Sequence, residues 1–155
     1  MGWPVVMEMG DGSATARHDL LWVLAAVILF SVLLGVAWQF TIDDAYISAV
    51  YARNLADGRG FTYAANLEPS EGFSNLLSVL LTSVLVMLGA EAITAAKILA
   101  AVFGYTAVIG IYFVGRLLLP RHAALLPLLV ASCFPLALWS AGGLETSLMA
   151  TVVVA

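Results

Sequence analysis

An unbroken apolar run from Leu20 to Phe40 ends just short of two adjacent acids, Asp43 and Asp44. About 20 helical residues, rising about 1.5 Å each, cover the roughly 30 Å hydrocarbon core of a bilayer. The run therefore predicts a membrane-crossing helix. It exceeds the roughly 7–15 residues of a secretory signal core and lacks a small-residue cleavage pattern, so it reads as a retained anchor. Trp22 and Trp38 stand near its two ends, where an aromatic belt would place them.

Composition extends this reading to the whole chain of 155 residues, of which 63% are hydrophobic and only 10% charged. Soluble domains carry roughly 25% charged residues. With a mean hydropathy of +1.03, the fold class is an all-α membrane protein. The net charge of −4 leaves no basic stripe for nucleic acid. Cys133, the single cysteine, can form no intrachain disulfide. His18 and His122 lie far apart, so any metal would be a hard, oxygen-liking ion such as Mg²⁺ or Mn²⁺.

Along the chain, residues 1–19 read as a cytoplasmic tail and residues 20–155 as a transmembrane domain, with a first outer loop over about 41–92. Ile47, Val50, Tyr51 and Leu55 recur at helical spacing, which predicts an amphipathic interfacial helix over 45–55. Asp57-Gly58-Arg59-Gly60 stops it, because glycine readily adopts positive φ. The segment 66–75 is a polar, proline-containing loop. Leu76 to Leu88 is short for a span, whereas Ile93–Leu119 and Ala123–Trp139 are long enough to cross. A further helix starts near Leu144, and the apolar ending at Ala155 reads as the front part of a longer membrane protein.

The short segment decides the topology. If it lies along the outer face, Arg17, Arg116 and Arg121 share the cytoplasmic side, as the positive-inside bias favours. Asp43, Asp44, Glu71 and Glu145 then share the outer side. Acids beside a membrane interface are read first as functional, with a partner to be found. One carboxylate of the Asp43-Asp44 pair is expected to act as a general base, its pKa raised by partial desolvation, while the other orients it. The plain alternative is helix capping. Arg53 and Arg59 suit a phosphate or simply snorkel to headgroups. Glu68, Glu71 and Asn75 sit in a loop rich in groups that suit sugar hydroxyls, or in a solvated turn started by Pro69. Glu145 begins a helix, where the macrodipole already favours an acid. Lys97 is placed to compensate a phosphate or to snorkel.

Three blocks carry a resemblance: DDAYISAVYARNLADGRGFTY from Asp43, EPSEGFSN from Glu68, and GGLET from Gly142. In this order they resemble the amino-terminal part of polyprenyl-phosphate-dependent glycosyltransferases of the GT-C superfamily. The similarity is nearest to the branch containing mycobacterial terminal arabinofuranosyltransferases, and more distant to protein O-mannosyltransferases. The resemblance implies a multi-pass enzyme of the cytoplasmic membrane whose inverting sugar transfer occurs at the outer face. A polyprenyl-phosphate sugar would be the donor, and a hydroxyl of a glycan, lipid or protein the acceptor. It implies that Asp43 is the catalytic base and Asp44 the second acid. Tyr46, Arg53, Arg59, Glu68, Glu71, Asn75 and Glu145 are the expected substrate-binding residues, and Asp43 and Glu145 the candidate ligands of a divalent ion. The rival reading is a transporter or channel component with an outer-face cation site, which would require polar residues deep within several spans.

Overall fold

The computed structural model describes residues 12–64 and 72–155, and every structural statement below concerns these. Seven helices follow one another: α1 (Gly12–Ala37), α2 (Asp43–Ala56), α3 (Leu76–Met87), α4 (Ala92–Leu118), α5 (Leu125–Ala131), α6 (Phe134–Gly142) and α7 (Thr146–Val154). No strand occurs among the described residues. Two helices are long and apolar enough to cross a membrane, at Arg17–Ala37 and Ala92–Leu118, with mean hydropathies of 2.8 and 2.0.

The outer surface of α1 fits a lipid solvent. Ala26, Phe30, Leu34 and Ala37 form one buried stripe, yet Leu24, Ile28, Val32 and Val36 on the remaining faces are exposed and equally apolar. A helix apolar all round belongs in a core or a bilayer. α1 begins at Gly12, ahead of the stretch apolar enough to cross a membrane, which starts at Arg17.

The centre is α4, which packs against every other helix. Ala92, Ala96, Ala100, Gly104 and Val108 recur every fourth residue and are buried, so neighbouring backbones approach closely along one face. A methyl group at Gly104 would run into Ser140 of α6 and lie 2.7 Å from the Phe30 ring of α1. Ser147 and Thr151 of α7 donate hydroxyl hydrogen bonds of 2.7 Å to the Ala100 and Phe103 carbonyls, the interhelical polar bonding suited to an apolar medium.

Two clamps set α1 antiparallel to α4. At one end the Asp19 carboxylate accepts from Arg116 at 2.9 Å and from the Tyr112 hydroxyl at 3.0 Å. At the other, Lys97 Nζ donates to the Trp38 carbonyl at 2.6 Å and to the Phe40 carbonyl and Thr41 hydroxyl at 3.0 Å each. Lys97 is buried and its head points inward, so it does not snorkel.

The expected span over 123–139 is broken. α5 and α6 meet at a 61° bend. Pro135 has no N–H to bond the Ala131 carbonyl, and its ring clashes there, so the helix stops and restarts. Cys133 takes an extended conformation at the joint.

α3 has 12 residues, about 18 Å of helix, too short to cross the roughly 30 Å core. It packs on α2 and α4. α2 starts at Asp43, two residues earlier than its periodicity suggests, and buries Ala45, Ser48, Ala49, Tyr51, Ala52 and Asn54. The expected stripe is therefore rotated. Small side chains admit α3 and α4 closely, while Ile47, Val50 and Leu55 stay half-buried.

Glu91 caps α4, accepting from the backbone N–H groups of Ile93 at 3.1 Å and Thr94 at 2.7 Å. Burial raises its pKa, but the bonds from Thr94 and Ile93 together with the Arg53 charge outweigh that and hold it below the usual carboxylate value of 4.5. A depressed pKa contributes stability that is present above the unfolded pKa and lost as pH falls through the folded one. Glu91→Ala is expected to cost about 1 kcal/mol at neutral pH. Unfolding in detergent micelles checks this, and the difference from wild type should shrink below the usual carboxylate range.

Candidate functional site

α2 opens with Ile42 at the N-cap position and neither aspartate caps it, because no side-chain bond reaches its first N–H groups. Capping is therefore not their role here. The two acids diverge by about 100° around the axis, as neighbours on a helix must. Asp44 lies on the face it shares with Ile47 and Ser48, at the i, i+3 and i+4 positions.

That face forms one wall of a cavity of about 220 Å³. Gly72, Phe73, Ser74 and Asn75 form the second wall, and Leu144 and Glu145 the third. Asp43 is exposed and lines neither this cavity nor either of two neighbouring hollows. Of the expected acidic pair, Asp44 borders this cavity and Asp43 does not. The reason is where α2 begins: from Asp43 onward, the register turns Asp44 towards Ser48.

Aromatic packing holds the 72–75 wall. Phe73 lies 4.7 Å from the Tyr51 ring and 5.5 Å from Phe61, centroid to centroid. Asn75 then follows as a buried residue at the head of α3. Its amide nitrogen donates 3.0 Å bonds to the Ser48 hydroxyl and to Glu145 Oε2, while its oxygen accepts from Ser48 at 3.2 Å. Glu145 reaches across 70 residues of sequence to Asn75 and makes no capping bond to α7. Its carboxylate is tied to the cavity, not spent on its own helix.

Gly143 makes this closure feasible. It ends α6 in the left-handed region with φ +82°, and a Cβ there would lie 3.3 Å from both Ala45 Cβ and Lys97 Cγ. Any side chain would meet both strain and contact. The Ile42 N–H donates to the Gly142 carbonyl at 3.4 Å, joining the approach to α2 with the turn before Glu145.

The other expected residues lie apart from this cavity. Tyr46 is exposed on another face of α2. Arg53 borders a separate polar hollow of about 280 Å³ with Asp57, Glu91 and the turn at Gly89. Arg59 pairs with Asp57 and donates to the Asn54 oxygen at 3.0 Å, which secures the turn after α2. Asn54 in turn donates to the Thr62 carbonyl at 2.6 Å. Glu68 and Glu71 lie outside the described residues. Ser48, Lys97 and Gly143 carry more of the arrangement than their sequence context suggests. The signal for Ser48 was its i+4 spacing from Asp44.

The cavity adjoins an apolar groove of about 470 Å³ between the start of α3 and α7. Leu76, Leu77, Leu148, Met149 and Val152 line the groove, and Ser74, Asn75 and Glu145 belong to both spaces. Among the described residues no three acidic, histidine or cysteine side chains gather as a metal cage. Asp44 and Glu145 are the two carboxylates that border the cavity; Asp43, the other expected ligand of a divalent ion, does not.

The fold and the site together define an all-helical protein with two apolar helices long enough to span a membrane and a polar cavity at one end. No family model, no curated protein and no solved structure matches the chain.

Proposed function

We propose that this protein is an inverting glycosyltransferase that moves a sugar from a polyprenyl-phosphate donor to an acceptor hydroxyl on the extracytoplasmic side of the membrane. The observation that carries the proposal is the junction of the Asp44–Glu145 cavity with the α3–α7 groove. An amphiphilic donor needs both a polar chamber for its sugar and an apolar track for its chain. The three sequence blocks resembling GT-C enzymes supply Asp44 to the cavity, and Asn75 and Glu145 to both the cavity and the groove.

In this reading Asp44 accepts the proton of the acceptor hydroxyl as its oxygen attacks the anomeric carbon. The bond to the donor phosphate breaks, and polyprenyl phosphate leaves with the electron pair. Glu145, steadied by Asn75, binds sugar hydroxyls. Among the described residues no arginine or lysine borders the cavity, so charge compensation for the departing phosphate would come from a divalent ion held by Glu145 and water, which leaves Asp44 free as the base.

A photoactivatable polyprenyl phosphate should crosslink to Leu77, Leu148 or Met149, and unlabelled polyprenyl phosphate should compete. Labelling spread over the lipid-facing surface without competition would count against the donor site.

Orientation follows from the two ends of the α1–α4 pair. Arg116 marks one end, with Arg121 in the turn beyond it, and Asp44 and Glu145 mark the other; the positive-inside bias makes the acidic end extracytoplasmic. A cysteine replacing Arg121 should resist an impermeant reagent in intact cells, and one replacing Thr146 should react. The opposite pattern would invert the topology.

A further inference from the structure

We infer that Lys97 is a positioning residue: one buried ammonium joins the segment that aims Asp44 to the segment that aims Glu145. The inference rests on reading those two acids as one site.

Lys97 spends its three N–H donors on the Trp38 carbonyl, the Phe40 carbonyl and the Thr41 hydroxyl. These acceptors lie just beyond α1, where the chain leaves the helix and its carbonyls lose intrahelical partners. The charge also stands 5.0 Å from the centre of the Trp38 ring, within the range of a cation–π contact. Two residues after Thr41 the chain enters α2 at Asp43. The head of Lys97 thus fixes the hinge that sets the direction of α2.

Its stem supports the other segment. Gly143 packs so closely that an added Cβ would lie 3.3 Å from Lys97 Cγ and 3.3 Å from Ala45 Cβ. Glu145 follows two residues later. Neither ion pair among the described residues includes Lys97, and it lines neither the cavity nor the groove. Its charge is satisfied by the hinge alone. Without it, two carbonyls and a hydroxyl in a part-buried joint lose their donor, a cost that falls on the geometry of the acids.

Spin labels on the full chain in nanodiscs test this, in a background with Cys133 replaced by serine. One labelled pair at the exposed positions Tyr46 and Thr146 reports the site, and another at Leu20 and Leu117 reports the opposite end. Lys97→Met keeps the length and removes the charge. It should broaden the Tyr46–Thr146 distance distribution with loss of its main peak and leave the Leu20–Leu117 distribution unchanged, while Lys97→Arg restores the peak. An unchanged Tyr46–Thr146 peak in Lys97→Met would overturn the proposal, as would broadening at both ends, which would make Lys97 a general stabiliser. An arginine variant as broad as the methionine one would also reject it, since the donated bonds would not be the cause. These distances are read without a sugar donor, so their outcome is independent of whether the site transfers sugar.

Discussion

Asp44→Asn is expected to abolish sugar transfer by the full chain while membrane insertion and abundance persist. The amide has the size of the acid and does not disturb a cap, because Asp44 makes none. It cannot accept a proton. Loss of a general base costs about 10²–10⁴-fold in rate, and the carboxylate that borders the cavity is the one whose loss should show this. Asp43→Asn removes a charge from the exposed start of α2 and should cost far less. Initial rates of the two variants in matched proteoliposomes check the ordering. The reverse ordering would return the base to Asp43 and require α2 to begin in a different register.

Gly104→Leu is expected to have the largest effect on the fold. Even one added carbon meets Ser140 and Phe30, so α1, α4 and α6 would all have to separate. Overpacking a tight contact typically costs 1–3 kcal/mol, and a whole isobutyl group at a three-helix junction should cost at least about 3 kcal/mol. Leu99→Ala, in the same helix at a half-buried position, is the comparison. Resistance to unfolding in mixed micelles should fall much further for Gly104→Leu than for Leu99→Ala. Equal losses would mean that the close approach at Gly104 is not a principal contact.

The helices of this protein were legible in its sequence because apolar length is a direct consequence of bilayer thickness. Leu20–Phe40 and Ile93–Leu119 correspond to α1 and α4 for that reason. The break between α5 and α6 was hidden by the same measure, since hydropathy counts apolar side chains and ignores the backbone bond that Pro135 removes. The buried face of α2 departs from its periodic stripe for a related reason. Periodicity weighs large apolar residues, whereas close packing against α3 and α4 selected Ala45, Ala49 and Ala52.

Of the site, the expectation that an α2 acid shares one cavity with Glu145 came from counting membrane crossings, and the acid that borders the cavity with Glu145 is Asp44. Which aspartate faces the cavity did not follow from that count, because a one-residue shift in the helix start turns the pair by about 100°. The engagement of Arg59 by Asp57 and Asn54 depends on a turn whose geometry the residue pattern alone does not specify. Lys97 was equally opaque. An isolated lysine near a helix end normally snorkels, and only the carbonyls at the end of α1 explain its inward course.

Donor turnover tests most directly whether the Asp44–Glu145 cavity performs group transfer. The full chain in liposomes would be supplied with radiolabelled polyprenyl-phosphate sugars, an acceptor mixture and Mg²⁺, and the lipids separated by thin-layer chromatography. The account predicts acceptor-dependent conversion of at least one donor to polyprenyl phosphate, with the label moved to the acceptor and the conversion lost in Asp44→Asn. Cation flux into the same liposomes, abolished by Asp44→Asn while every donor stays intact, would contradict it and assign the acidic cavity to transport.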